Sequence, residues 1–358
     1  MNTLNAILIG LQQQVRLQKC VDETGLKHLL RLQKTAQGRD ETSDFCSETD
    51  LHLLIDLVVR YPFLISVSGR TLQQVPSLLC CLDLAVSDIR IESYVIEKAI
   101  HVMRDCMRIP AKKVAIFGAS FNPTTQGHID LIQLLLQGHP DAYDLVRLMP
   151  AGQSPLKPAH QYAASTHRLH MLRMMLDAHV EPNDRCRLCV EHLEVDRSAP
   201  SRMVVTLSAL VLLHHGHERY TLACGYDHVI QLSQWYRWQD LKHLCELVFY
   251  PRQGVSLVTE QHAWCLSALS QAGIGLKIIF SDAAQRVAFY EFCRTHLDTL
   301  QMTWIAKITL VDDPKVRITS GSATAIRAYY QQAQTHEAIP VGLTPEVHRY
   351  ILKHRCYQ

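Results

Sequence analysis

The residues best suited to chemistry lie together, in the run Gly118-Ala119-Ser120-Phe121-Asn122-Pro123-Thr124-Thr125-Gln126-Gly127-His128. A short apolar stretch, Val114 to Phe117, leads into it. A helix then opens near Thr125, with Ile129, Ile132, Leu135 and Leu136 at helical spacing. A strand, a small-residue turn and a helix start together make an anion site. First-turn N–H groups have no partner within the helix, and its positive end faces the turn. His128, in the first helical turn, adds a side-chain donor at the same place. This grip suits the phosphates of a nucleotide. The sequence has no Gly-x-x-x-x-Gly-Lys-Ser/Thr, which excludes a P-loop enzyme. It also has no Gly-x-Gly-x-x-Gly, which weighs against a dinucleotide-binding dehydrogenase.

A loop of this kind needs a scaffold. After Ile109-Pro110 short apolar runs alternate with helical patterns. The expected strands are Val114–Phe117, Leu145–Met149, Arg187–Val195, Tyr220–Cys224, Leu247–Tyr250, Lys277–Phe280 and Ile305–Val311. Such alternation predicts an α/β fold, a Rossmann-like parallel sheet flanked by helices. Ligands of these sheets bind at the carboxyl ends of the strands, where the strand order reverses, and the loop above follows the first strand. Residues 1–108 read differently. Leu4–Leu17, Asp50–Val59 and Ile91–Met107 carry helical periodicity, and Gln37–Thr49 is polar. We expect a separate all-α N-terminal domain there, of unknown role, and a second domain over 109–358. Ser281 to Leu297 reads as an added helix: a lid, an oligomer contact or a neutral insertion.

Composition sets the outer bounds. The chain has 358 residues, 47% hydrophobic and 20% charged, which is ordinary for a globular protein. A net charge of +2 argues against a general nucleic-acid surface or membrane surface. No apolar stretch is long enough to span a bilayer, and no basic segment precedes the apolar run Ala6–Leu11, so we read neither a membrane span nor a signal peptide. The 12 cysteines are scattered and many sit in apolar runs, which fits free thiols in a reducing cytoplasm. Cys186 and Cys189 have metal-ligand spacing, but no second pair exists and the surrounding alternation reads as a strand, so no metal site is expected. The oligomeric state is left open, a homo-oligomer included.

The loop resembles the phosphate loop of nucleotidyltransferases carrying His-x-Gly-His or Thr-x-Gly-His, here Thr125-Gln126-Gly127-His128. Four further segments are similar to the same proteins. Leu148-Met149-Pro150-Ala151-Gly152-Gln153-Ser154-Pro155-Leu156-Lys157 is like their second loop. Gly225-Tyr226-Asp227 with Trp235-Tyr236-Arg237-Trp238 is like their substrate segment. Ser322-Ala323-Thr324-Ala325-Ile326-Arg327 is like their late Ser-x-Thr-x-x-Arg motif, and Gly342-Leu343-Thr344-Pro345 through Tyr350-Ile351 like their ending. In this order they match the bacterial nicotinate-mononucleotide adenylyltransferases, over roughly the last two-thirds of the chain.

The resemblance implies transfer of AMP from ATP, with Mg²⁺, to nicotinate mononucleotide. The products are nicotinate adenine dinucleotide and pyrophosphate, a step of NAD biosynthesis. The attacking phosphate is already an anion, so no general base is needed, and donors that gather and stabilise charge should dominate the site. His128, Thr125 and Arg327 are the implied catalytic donors. Gly118, Ala119, Ser120, Phe121, Asn122, Gly127, Ser322 and Thr324 are the implied ATP-phosphate residues. Lys157, Arg202, Gly225, Asp227, Trp235 and Tyr236 are implied for the mononucleotide. An aromatic face at Trp235 suits a pyridinium ring, although a core role would give the same residue type, and Trp238 reads as core. Asp227 would meet a ribose hydroxyl or help place a cation. Lys157 pairs with a phosphate or is a solvated surface lysine.

Four departures from the family pattern bear on this. Ala119 stands where Gly is common, Ala323 where Ser is common and Leu156 where His is common. Arg202-Met203 stands where Tyr-Thr is usual, in the region that reads the nicotinate carboxylate. Arg202 can take over as a carboxylate partner, and Met203 cannot donate. Nicotinamide mononucleotide is therefore the nearest alternative substrate. A pantetheine-phosphate adenylyltransferase also carries Thr-x-Gly-His, but the Trp-Tyr-Arg-Trp segment argues against it. A nucleotide-binding regulatory protein on the same fold is the alternative of another class.

Overall fold

A computed structural model describes residues 89–152, 162–195, 200–252, 254–319, 322–332 and 338–357. The expected elements Leu4–Leu17, Gln37–Thr49 and Asp50–Val59 lie outside these residues, as does Lys157. The chain divides into two compact units. The larger comprises Pro110–Val195, Pro200–Val204 and Glu218–Gln358, and the smaller Met1–Ile109, Asp196–Ala199 and Val205–His217.

The described part of the smaller unit begins with α1 (Ile89–Asp105). Val95, Ile96, Ala99, Ile100 and Met103 are buried, one stripe at helical spacing.

The larger unit is built on β1 (Lys112–Ala119), α2 (Gln126–Leu136), β2 (Leu145–Pro150), α3 (Ser165–His179) and β3 (Leu188–Val190). Then come α4 (Met203–Leu213), which runs through residues of both units, β4 (Glu218–Gly225), α5 (Val229–Leu232) and β5 (Cys245–Tyr250). It continues with α6 (Glu260–Gln271), β6 (Leu276–Phe280), α7 (Ala283–His296), α8 (Thr299–Ile305) and β7 (Thr309–Asp312), and ends in α9 (Ala323–Gln332) and α10 (Pro345–His354). The seven strands form one sheet in the order β3-β2-β1-β4-β5-β6-β7. Every pair is parallel. The expected Rossmann-like sheet is therefore present. Its order reverses between β1 and β4, where Phe117 lies opposite Ala223, and this is the crevice in which such sheets bind ligands.

Strands buried on both faces must be apolar throughout, and Val114 to Phe117 and Leu247 to Tyr250 are all buried. One core cluster joins Phe117, Phe121, Ile129, Ile132, Leu135, Met171, Met175, Tyr250, Ile326, Val347 and Ile351. Burying each such large side chain contributes roughly 1.5–3 kcal/mol. This packing holds α2, α3, α9 and α10 on the sheet and fixes the loops at their ends.

Two strands are shorter than expected. Arg187–Val195 forms a strand only over Leu188–Val190. Arg185–Arg187 closes a 3₁₀ turn instead, with the Arg187 guanidinium donating to the Leu136 carbonyl, and the chain turns again at Leu193. Ile305–Val311 forms a strand only from Thr309. Asp298 and Gln301 make a reciprocal capping box that nucleates α8 and draws Ile305 into it. The segment read as an added helix is α7, opened by Asp282 accepting from the Gln285 N–H. With α8 it supplies the crossover that parallel β6 and β7 require.

Candidate functional site

The loop after β1 is rigid by construction. Phe121 takes a left-handed backbone, φ 45°, and buries its ring edge-on against Phe117. Its side chain is thus core, and only its backbone faces the loop. Thr125 caps α2. The Thr125 N–H donates to His128 Nδ1 at 3.0 Å, and the Thr125 hydroxyl lies 2.8 Å from the same nitrogen. A backbone N–H can only donate, so Nδ1 is the acceptor and the ring proton sits on Nε2. The Phe121 ring packs 5.2 Å from the imidazole, which completes its orientation. Thr125 is buried, so its hydroxyl serves His128 rather than the solvent side of the loop.

The first turn of α2 is less open than its position implies. The Gln126 N–H is taken by the Gly342 carbonyl at 2.8 Å, and the His128 N–H by the Thr125 carbonyl at 3.0 Å. The Gly127 N–H has no hydrogen-bond partner among the described residues. Gly127 is also required sterically, since a Cβ there would lie 2.9 Å from the Thr319 carbonyl oxygen. Asp130, one turn on, accepts from the Thr319 N–H at 2.7 Å and anchors the irregular segment that follows β7.

The late motif comes to the same place. Ser322 and Thr324 are exposed at the start of α9. Arg327 donates to the Asn122 carbonyl at 2.7 Å and to the Thr324 hydroxyl at 3.2 Å, and no carboxylate pairs with it among the described residues. Asn122 is itself buried and accepts the Ala163 N–H at 3.1 Å. Beneath these groups lies Arg168, a buried arginine of α3. It donates to the carbonyls of Ser120 and Ala151, both at 2.7 Å. Burial lowers its pKa from the usual guanidinium range. The loop thus has cations around it and few carboxylates.

The other expected residues gather after β2 and β4. Gly118 faces the Met203 methyl, which occupies the space a Cβ would need. The Ser201 hydroxyl accepts the Gly152 N–H at 2.8 Å, tying the loop after β2 to the Arg202 segment. The Arg202 guanidinium lies 4.4 Å over the Tyr236 ring. Trp235 is half-buried and edge-on to His228 at 6.3 Å. Trp238 is half-buried as well, at the head of a 3₁₀ turn, and not the core residue expected. Asp227 pairs with Arg252 and folds back over Gly225, leaving no room there for a Cβ. Burial pushes its pKa up, but His228 and Arg252 outweigh this and hold it well below the usual carboxylate range. Asp227 Oδ1 is buried and lies 3.6 Å from His228 Nδ1, an ion-pair contact longer than a hydrogen bond.

Beside β5 and β6 opens a cavity of about 510 Å³ lined by Tyr226, Arg252, Leu257, Phe280, Arg317 and Ile318 among others. Ile318 would also touch a Cβ on Gly127, so the cavity adjoins the start of α2. Arg168, Arg252 and Arg317 were not singled out from sequence, for no motif marks them. Cys186 lies exposed in the 3₁₀ turn, and the Cys189 thiol donates to Glu191. Among the described residues no group of three metal-ligating side chains forms, and no helix is long and apolar enough to cross a membrane.

The chain is similar to several known proteins. A "Probable nicotinate-nucleotide adenylyltransferase" of Legionella pneumophila (strain Lens) is 31% identical over 140 residues, 39% of this chain. The chain spans 62% of that relative's length. A protein of the same name from Synechococcus sp. (strain JA-3-3Ab) is 27% identical over 247 residues, 69% of this chain and 95% of the relative. Among solved structures, Plasmodium falciparum nicotinic acid mononucleotide adenylyltransferase complexed with NaAD matches with a TM-score of 0.48 at 15% identity, over 69% of this chain and 97% of that one. The cytidylyltransferase-like family model matches residues 116–328, from β1 through Arg327. That span holds the reversal of the strand order, the His128 loop and the late arginine, and the chain belongs to the cytidylyltransferase-like family.

Proposed function

We propose that the chain transfers AMP from ATP to nicotinate mononucleotide, giving nicotinate adenine dinucleotide and pyrophosphate. The observation that carries this reading is the fixed imidazole at the switch point: His128 Nδ1 is held by Thr125, and Arg327 is tied to the same loop. Nε2–H, the Gly127 N–H and the free edge of Arg327 supply donors where charge grows on the leaving pyrophosphate. Thr125 then acts as a positioning residue. Exposed Ser322 and Thr324 lie one turn before Arg327 and extend that grip. The names of the relatives support the reaction, and the cavity lined by Tyr226, Phe280 and Arg317 has the size and aromatic lining for an adenosine.

The mononucleotide is assigned to the other side of the crevice. Asp227 Oδ1 offers a ribose hydroxyl an acceptor, Trp235 offers the ring a face, and Arg202, held over Tyr236, offers the carboxylate a cation. Lys157 is assigned the mononucleotide phosphate. The donor set fits Mg²⁺ carried by the ATP phosphates rather than a protein cage, since Mg²⁺ keeps its waters and needs only one or two carboxylates. Residues 109–358 are read as the transferase domain and 1–108 as a separate domain, in a protein of the reducing cytoplasm. The test is incubation with ATP, Mg²⁺ and each mononucleotide in turn. Pyrophosphate release with nicotinate mononucleotide is expected. Release only with the nicotinamide form would reassign the substrate, and release with neither would end the proposal.

A further inference from the structure

The geometry points to Arg168 as a positioning residue that sets the distance between the two substrates, an inference that rests on the reaction proposed above. Its guanidinium is buried, and its partners among the described residues are carbonyl oxygens and the Tyr162 ring. Nη1 donates to Ser120, in the loop after β1, and to Ala151, in the loop after β2, both at 2.7 Å. Nε donates to Ala163 at 3.1 Å, the residue whose N–H goes to Asn122. The loop after β1 is the ATP-phosphate side. The loop after β2 leads, through the bond from Gly152 to Ser201, to Arg202 on the mononucleotide side. One nitrogen, Nη1, therefore bonds both loops, and the Nε bond to Ala163 fixes the guanidinium plane that aims it, a planar orientation that an ammonium on a flexible stem lacks.

Burying a cation without a carboxylate is costly, and the bonds to the carbonyls of Ser120, Ala151 and Ala163 offset part of that cost. Arg168 makes no contact with the reacting atoms in this arrangement. It fixes how close the attacking oxygen stands to the α-phosphorus.

The test uses the full chain with Arg168→Lys and Arg168→Met. Folding is followed by circular dichroism and melting, ATP binding alone by calorimetry, and turnover by pyrophosphate release. Each loop keeps its own ligand, so the ATP dissociation constant should stay within about threefold of wild type while kcat falls roughly 100-fold. Arg168→Lys should show the same split, less severely. If Arg168→Met does not fold, Arg168→Lys carries the test; if neither folds, the residue is a structural clamp and the inference fails. Full kcat in Arg168→Lys would also overturn it, as would ATP affinity falling in step with kcat. Wild type that binds ATP but releases no pyrophosphate with either mononucleotide would sink the reaction itself, and the alignment role with it.

Discussion

The two sides of the crevice are built by opposite means. After β1, the polar groups are bonded to one another, and Thr125 and Asn122 among them are buried. Thr125 holds His128, Asn122 holds Ala163, Arg327 holds Asn122, and Phe121 fills the space beneath. After β4, the corresponding groups are half-exposed. Arg202 lies over Tyr236 in a cation–π contact worth about 0.5–2 kcal/mol, and Trp235 meets His228 edge-on. The first side is pre-organised at the cost of adaptability. The second can change residues without disturbing a core. Of the family departures, Arg202 and Met203 fall on the second side or at its border with the loop, and Ala119 and Ala323 on the first. Under the proposed reaction, the groups assigned to the transfer and those assigned to the acceptor are therefore held by different means.

That contrast can be broken, and the most severe test is His128→Ala. Turnover should fall by at least ~10²-fold, the loss expected for one pre-organised donor. Stability should drop only by about 0.5–2 kcal/mol, because the Thr125 N–H loses its cap partner. Retention of more than half the wild-type rate would remove His128 from the site.

Arg202→Met probes the other side. The ratio of specificity constants for nicotinate over nicotinamide mononucleotide should fall roughly 10- to 100-fold, with kcat for the better substrate little changed. An unchanged ratio would mean that Arg202 only covers Tyr236.

Trp235→Ala should weaken mononucleotide binding by about tenfold, within the roughly 1–3 kcal/mol of one stacking ring, and leave ATP affinity alone. Equal loss for both ligands would show the residue to be packing.

The smallest effect belongs to Asp227→Asn. The Asp227 pKa is depressed below its ordinary 3.8 by His228 and Arg252, so its contribution to stability is present above that pH and is lost as the pH falls through the folded-state value. The difference in melting temperature between wild type and variant should be constant from neutral pH down to about pH 5 and shrink below about pH 4. A gap that widens in acid would exclude the ion pair with Arg252.

The anion loop was legible because local rules build it: a strand, a turn of small residues, and a helix start at Thr125-Gln126-Gly127-His128. The strands that lie inside the sheet, such as Val114–Phe117 and Leu247–Tyr250, were legible for a related reason. Burial on both faces demands an unbroken apolar run. The short edge strands β3 and β7 were misjudged in length, because an edge strand needs few ladder bonds and a local capping box at Asp298 wins over β propensity.

By itself, then, the sequence determined the alternation of strand and helix, the position of the phosphate grip and the order of the motifs along the chain, all of which depend on near neighbours. Tertiary structure alone decided which groups work together. It set Arg327 against Asn122 and brought Arg168 under two loops at once. Burial and hydrogen bonding across 17, 48 or 205 residues of chain leave no periodic trace in a sequence, since each depends on where the sheet and its helices bring distant segments into contact.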